Sequence, residues 1–222
     1  MTDTLDEIRD RLVTVALDHV AFDGWSDATL ARAAEEAGVS RLDLYRAFPG
    51  GVEDALDHHL AMADRAMVSA ILDLDLDAMK IREKITAAVR IRLEQAAPHK
   101  EAVRRGLQHL GLPFRGPRAM KALWRTADLI WRAIGDTSTD FNFYTKRTLL
   151  SGVYASTLMY WLNDTSPDHA DTWAFLDRRI ANVMTIEKTK GRLLKSRGGL
   201  PRPFESAARI GARLREARSF RR

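Results

Sequence analysis

Apolar residues recur along this chain at helical spacing with few interruptions. Leu5, Ile8, Leu12, Val15, Ala16 and Val20 mark one face of a first helix over residues 5–22, which the Asp23-Gly24 turn stops. Ser26 has the short oxygen-bearing side chain of an N-cap, and Ala28, Leu30, Ala31, Ala34 and Ala37 continue a short second helix closed by Gly38. Ser40 opens a third helix carrying Leu42, Leu44, Tyr45 and Phe48, the last three assigned to the core of this head, before Pro49-Gly50-Gly51 ends it. Three helices with a glycine-containing turn between the second and third have the spacing of a helix-turn-helix. A longer fourth helix over residues 52–73 carries the chain onward.

The same period continues in a larger body. A run over 77–97 places Met79, Ile81, Ile85, Ala88, Val89 and Leu93 inward, and Pro98 ends it. A shorter helix spans 99–110; Gly111, Pro113, Gly116 and Pro117 then predict a rigid connection into a helix over Ala119–Ile134. From Gly135 to Trp173 the sequence reads as a cap, a long apolar helix, a second cap and the start of another helix. Ser138, Thr139 and Asp140 can each satisfy free amides at a helix start, and Ser166-Pro167 suits another. The helix between them is apolar around more than half its circumference, so it belongs at the centre of a bundle, antiparallel to the helix that follows. No period-2 segment occurs. The expected class is all-α, with a head over 1–50, a body over 51–195, and a joint with a basic amphipathic helix over 196–222.

Charge changes this picture in two places. The formal net charge is +5, yet residues 188–222 hold twelve Lys or Arg against Glu205 and Glu216, so the remainder is acidic. In the tail, Phe204 and Leu214 lie on a weak apolar stripe flanked by Arg209, Arg213, Arg215 and Arg218, which suits an anionic bilayer. A solvated tail and a docked one remain open alternatives. The head is the opposite case. A helix-turn-helix on a helical body is the plan of dimeric one-component repressors, but residues 23–54 hold Arg32, Arg41 and Arg46 against seven acids. That balance opposes the electrostatic part of DNA affinity, so DNA binding is not expected.

Candidate chemistry is sparse. The chain has no cysteine, which excludes disulfides and thiolate chemistry. Its six histidines form neither an H-x-x-x-H pair nor an E-x-x-H motif, and no glycine-rich phosphate loop is present. Asp168, His169 and Asp171 read as acids and a neighbour in a first helical turn rather than a catalytic cluster. The chain therefore reads as a non-catalytic binder that needs no cofactor or metal. Trp124, Trp131, Trp161 and Trp173 fall within fifty residues of one another beside several Met and Tyr, as in a pocket for a long nonpolar ligand. Periodicity nominates Leu123, Ala127, Ile130, Trp131, Val153 and Met184 as its lining. No run approaches a membrane span, so a cytoplasmic protein with peripheral attachment to the inner membrane is expected.

Two segments carry a family resemblance. Asp136-x-Ser138-Thr139-Asp140-Phe141-Asn142-Phe143-Tyr144-Thr145-x-Arg147 is followed by Asp164-x-Ser166-Pro167-Asp168 and Asp171-Thr172-Trp173-x-Phe175-Leu176. This pattern resembles the COQ9 family of ubiquinone-biosynthesis accessory factors. The resemblance implies a TetR-like fold and a homodimer built on residues 142–163 and 168–190. It also implies binding of an isoprenoid quinone intermediate or other lipid and assistance to the di-iron demethoxyubiquinone hydroxylase. It places Asp140, Asn142, Phe143, Tyr144 and Arg147 at the partner contact, and it likens the C-terminal helix to a membrane-associating one. The competing expectation is a TetR-type transcriptional regulator with a hydrophobic effector pocket.

Overall fold

The computed structural model describes residues 4–111, 115–139 and 141–196, without the side chains of Phe141 and residues 186–196. Among the described residues all regular structure is helical. The chain divides into two units, Met1–Ile180 and Ala181–Arg222.

The first unit opens with α1 (Leu5–Asp23), α2 (Asp27–Glu36), α3 (Arg41–Ala47) and α4 (Val52–Leu72). Thr4 and Glu7 form a reciprocal capping box on α1, and Ser26 and Ser40 accept the Thr29 and Asp43 amides as N-caps of α2 and α3. The faces that the apolar period selects meet in one core containing Leu12, Val13, Leu17, Val20, Leu30, Phe48 and Leu56. This core extends beyond the head, to Ala102 and Leu110 of α6 (Lys100–Leu110). Trp25 is the pin: its indole N–H donates to the Ala102 carbonyl at 3.2 Å. Gly106 permits the approach, since a Cβ there would stand 3.3 Å from the Leu56 side chain and 3.5 Å from the Trp25 nitrogen.

Of the residues assigned to the head's core, Tyr45 lies elsewhere, and its neighbour Leu42 is exposed with it. Leu42 is 57% and Tyr45 67% exposed, because a seven-residue α3 has only a narrow buried side, taken by Ala47 and the following Phe48. Ile81, expected inward, is likewise exposed: the run begins with a 3₁₀ turn at Leu76–Ala78, and α5 (Ile81–Glu94) starts at Ile81 itself, with Lys80 preceding it.

The body is built on α5, α6, α7 (Gly116–Ala133), α8 (Phe141–Asn163) and α9 (Ala170–Ser196). Gly116 and Pro117, expected in a rigid connection, occupy the first turn of α7, where a proline lacking N–H costs nothing. Pro113 of that connection lies outside the described residues. α8 packs chiefly along α7 and carries the fully buried Trp161, while Tyr160 of α8 stacks on Phe175 of α9 with centroids 4.5 Å apart. Arg104 of α6 reaches the Leu162 carbonyl, and Lys100 donates to the Asp164 carbonyl at 2.9 Å, fixing the end of α8. In the second unit the Thr185 hydroxyl donates to the Ala181 carbonyl at 2.9 Å within α9. The basic helix expected after residue 196 lies outside the described residues. Among the described residues no helix is long and apolar enough to cross a membrane.

Candidate functional site

The site grows out of the corner between α7 and α8. Gly135, at φ 91°, turns the chain in a region that a side chain would strain. The Asp136 carboxylate just beyond it accepts hydrogen bonds from Lys146 at 2.6 Å, Ser138 at 2.8 Å and Arg147 at 3.1 Å. Ser138, nominated as a cap, thus serves this clasp. Arg147 also donates to Asp128 at 2.5 Å and to the Phe143 carbonyl at 3.2 Å, with its guanidinium carbon 3.5 Å from the Phe143 ring centroid. Burial alone would raise the Asp136 carboxyl, but the bonds from Lys146, Ser138 and Arg147 overcome it and hold the group at about 2.

The clasp supports an aromatic face. Trp124, Phe143 and Tyr144 are in mutual ring contact, with centroids 5.1 to 6.5 Å apart. Tyr144 is 61% exposed and Asn142 is exposed, whereas Arg147 is only 1% exposed. Of the five nominated partner residues, Asn142 and Tyr144 therefore face outward, Phe143 is half-buried, and Arg147 shapes the face from beneath. Asp140 lies outside the described residues. The ionisable groups of the clasp are engaged with one another, so what the corner offers outward is an aromatic and amide surface suited to recognition.

A second corner joins α8 to α9. Asp164 accepts from the Ser166 amide at 2.8 Å, the Thr172 amide at 2.9 Å and the Thr172 hydroxyl at 2.5 Å. Burial opposes its charge, yet these bonds hold its pKa well below the usual carboxylate range. Ser166 accepts from the Asp171 amide at 3.1 Å, in keeping with its role as a cap. Asp168 and His169 have φ 51° and 55°, a left-handed pair absent from an ordinary first helical turn. Trp173 donates to the Asp168 carbonyl at 2.8 Å and steadies that pair. The polar motif residues thus divide into those that build corners, led by Asp136, Arg147, Asp164 and Thr172, and those presented outward, Asn142 and Tyr144.

The nominated apolar residues are placed unequally. Ala127, Ile130, Trp131 and Val153 are buried on α7 and α8, Leu123 is half-buried, and Met184 is exposed in the second unit. Clefts lined by described residues include one of about 620 Å³ beside Met159, Tyr160 and Phe175, and others of about 460 and 500 Å³; none of these three is lined by the nominated six. The nominated membrane residues Phe204, Arg209, Arg213, Leu214, Arg215 and Arg218 lie outside the described residues. Among the described residues no group of three His, Asp or Glu could hold a metal ion. Sequence reasoning missed Asp128 and Lys146; the signal available was Arg147 itself, a cation within an apolar helix that required buried acceptors.

Residues 116–187, which span α7, α8 and much of α9, match the COQ9 family model. The chain is 32% identical over 201 residues to the mitochondrial ubiquinone biosynthesis protein COQ9 of Rattus norvegicus, covering 87% of this chain and 64% of the relative. It is 33% identical over 192 residues to COQ9-B of Xenopus laevis, covering 82% and 64%, and 30% identical to the Homo sapiens protein, covering 87% and 62%. The chain thus spans a little under two thirds of the length of these relatives. In fold it is similar to the TetR transcriptional regulator from Nitrosomonas europaea, with a TM-score of 0.65 and 19% identity over 79% of this chain and 97% of that one. That likeness establishes an all-α, TetR-like fold. With the motif residues forming both corners of the matched segment, and with relatives aligned along most of its length, the chain is similar to the COQ9 family.

Proposed function

We propose that the protein is a non-catalytic accessory factor in ubiquinone biosynthesis. It binds an isoprenoid lipid or quinone intermediate in the body and presents it to the demethoxyubiquinone hydroxylase. The observation that carries this reading is the clasped corner of α7 and α8, which lies within the matched segment and turns Asn142 and Tyr144 outward over the buried Arg147. The lipid lies along the apolar faces of Leu123, Ala127, Ile130, Trp131 and Val153. The arginines and apolar stripe after residue 196 attach the protein peripherally to an anionic membrane, and a homodimer forms through residues 142–163 and 168–190. The three-part organisation follows: head over 1–50, body over 51–195, membrane helix over 196–222.

The regulator reading is not favoured. The TetR likeness concerns fold alone, and the acidic balance of residues 23–54 opposes duplex affinity.

The test is a reconstituted hydroxylation assay together with mass spectrometry of lipid extracted from the purified full chain. A quinone-type lipid is expected to co-purify, and Tyr144→Ala is expected to lower partner-dependent turnover while lipid content stays unchanged. A lipid-free protein showing no saturable quinone binding would reject the reading.

A further inference from the structure

The head carries a cleft of about 500 Å³ for which the accessory reading has no use, lined by α2, α3 and the turn into α4. Leu30 and Phe48 are buried along it, Leu44 is half-buried and Tyr45 is exposed. Leu42 precedes Tyr45 by three residues, so these two exposed apolar side chains share one side of α3. Pro49, Gly50 and Gly51 complete the lining, and its shape depends on the glycine: Gly51 has φ 65°, and a Cβ there would stand 2.7 Å from an Asp27 carboxylate oxygen. The core of the head closes over Ala33, Ala47 and Phe48 without Leu42 or Tyr45. An exposed aromatic and an exposed leucine beside a shaped cleft are what a docking surface presents.

Charge indicates the kind of occupant. Asp27 and Arg41 both line the cleft and offset one another. Arg32 is paired with Asp23 at 3.2 Å and Arg46 with Asp43 at 3.3 Å, so these cations are already engaged within the head. Glu53 and Asp54 are met by Arg115 and Arg118. Glu35 and Glu36 are different: both are exposed at the end of α2, and Glu36 meets the His19 ring at 2.7 Å. The surface over α2 and α3 is therefore acidic, which repels a phosphate backbone and attracts a basic segment.

We propose that this cleft docks a basic amphipathic helix of a second protein. The apolar side of that helix sits on Leu42, Leu44 and Tyr45, as in other helix-in-groove complexes, and its lysines or arginines face Glu35 and Glu36. Tyr45 is the anchor, because its ring contributes apolar area while its hydroxyl remains at the wet edge, and a partner arginine can lie over the ring. The head surface and the aromatic corner of α7 and α8 belong to different parts of the first unit, so the inference goes beyond the accessory reading and gives the protein a second partner.

The experiment uses the full chain and fluorescence anisotropy with three labelled probes. These are an amphipathic helical peptide of Lys, Leu and Ala, its counterpart with Glu in place of Lys, and a DNA duplex of mixed sequence. Tyr45→Ala and Leu42→Ala alter exposed side chains and leave the core of the head intact, and Glu35→Lys inverts one surface charge. Thermal melts establish that all three variants fold. The native chain is expected to bind the Lys peptide in preference to the other probes, and less tightly as salt rises. Tyr45→Ala should lose about tenfold in affinity and Leu42→Ala about threefold. Glu35→Lys should weaken binding and flatten its salt dependence. If Tyr45→Ala and Leu42→Ala bind the Lys peptide as tightly as the native chain, the attraction is general acidity and the cleft assignment is overturned. Equal affinity for the Lys and Glu peptides refutes the charge argument. A preference for the duplex that Tyr45→Ala removes returns the head to nucleic acid and overturns the protein assignment. Failure of the native chain to bind any probe rejects the inference. None of these results bears on the accessory reading, whose tests are lipid content and partner-dependent turnover.

Discussion

Replacing Arg147 with Met tests the clasp directly, because it removes the guanidinium while preserving much of the side-chain volume. Arg147 is 1% exposed and makes hydrogen bonds to Asp128, Asp136 and the Phe143 carbonyl, besides lying on the Phe143 ring. A hydrogen bond to a charged group contributes about 1.5–3 kcal/mol, so three would sum to far more than the variant will lose. The stranded carboxylates keep other partners: Asp136 retains Lys146 and Ser138, and Asp128 retains Arg132 at 2.8 Å. The loss should therefore fall at the lower end for a broken buried pair, about 3 kcal/mol, or a melting temperature lower by about 6–12 °C for a unit of this size. Urea unfolding followed by circular dichroism at pH 7 measures it, and a double-mutant cycle with Asp136→Asn isolates the pair. Arg147→Lys should recover only part, since an ammonium cannot serve two carboxylates and stack on a ring in the guanidinium geometry. A loss below about 1 kcal/mol for Arg147→Met would refute the view that this cation organises the corner.

Asp164→Ala should cost about 3 kcal/mol, combining a lost helix cap with a stranded Thr172 hydroxyl that is fully buried. Hydrogen exchange should report faster opening at the start of α9, and unchanged protection there would contradict the capping role. His59 predicts an acid-sensitive core. Its folded pKa of about 4 lies below the ordinary 6.5, so its contribution is complete above 6.5 and is lost as pH falls from there toward 4. Stability should drop by about 2 kcal/mol between pH 7 and pH 5, and His59→Gln should flatten that slope; an equal slope in the variant would assign the loss elsewhere.

The head shows what local pattern can and cannot convey. Ser26 and Ser40 cap helices where a short oxygen-bearing side chain precedes an apolar period, since N-capping involves residues only three apart. Tyr45, expected in the core, is exposed because a helix of seven residues has too few turns for its period to define one inner face. Buried charge was the least legible feature. Amphipathic reasoning sends Asp64, Arg92 and Arg147 to the surface, and Asp64 and Arg92 find one another across 28 residues of sequence. The motif residues were recognisable as a pattern, but their division into builders of corners and presented groups depends on side-chain direction. Asp164 and Asn142 read alike as polar residues near helix ends, yet one is buried under three hydrogen bonds and the other faces outward.

The apolar faces assigned to the lipid and the partner face proposed above share two helices, which makes a quantitative demand. α7 carries Thr126 and Ile130 toward the interior and Trp124 and Asp128 toward the clasp; α8 carries Tyr154 inward and Phe143, Tyr144 and Arg147 at its start. A ligand that draws α7 and α8 together shifts Asp128 relative to Arg147, and the 2.5 Å contact between them transmits that shift to the aromatic face. Linkage then requires reciprocity: whatever factor the lipid adds to affinity for the hydroxylase, the hydroxylase must add to affinity for the lipid. An enhancement of at least about fivefold in both directions is expected, near the lower end of measured couplings. Calorimetric titration of hydroxylase into lipid-free and benzoquinone-loaded protein gives one factor, and titration of benzoquinone with and without hydroxylase gives the other. Arg147→Met should leave each binary affinity for lipid intact while collapsing both factors toward one. Equal hydroxylase affinity for the loaded and lipid-free native protein would show that the two sites, though built on the same helices, act independently.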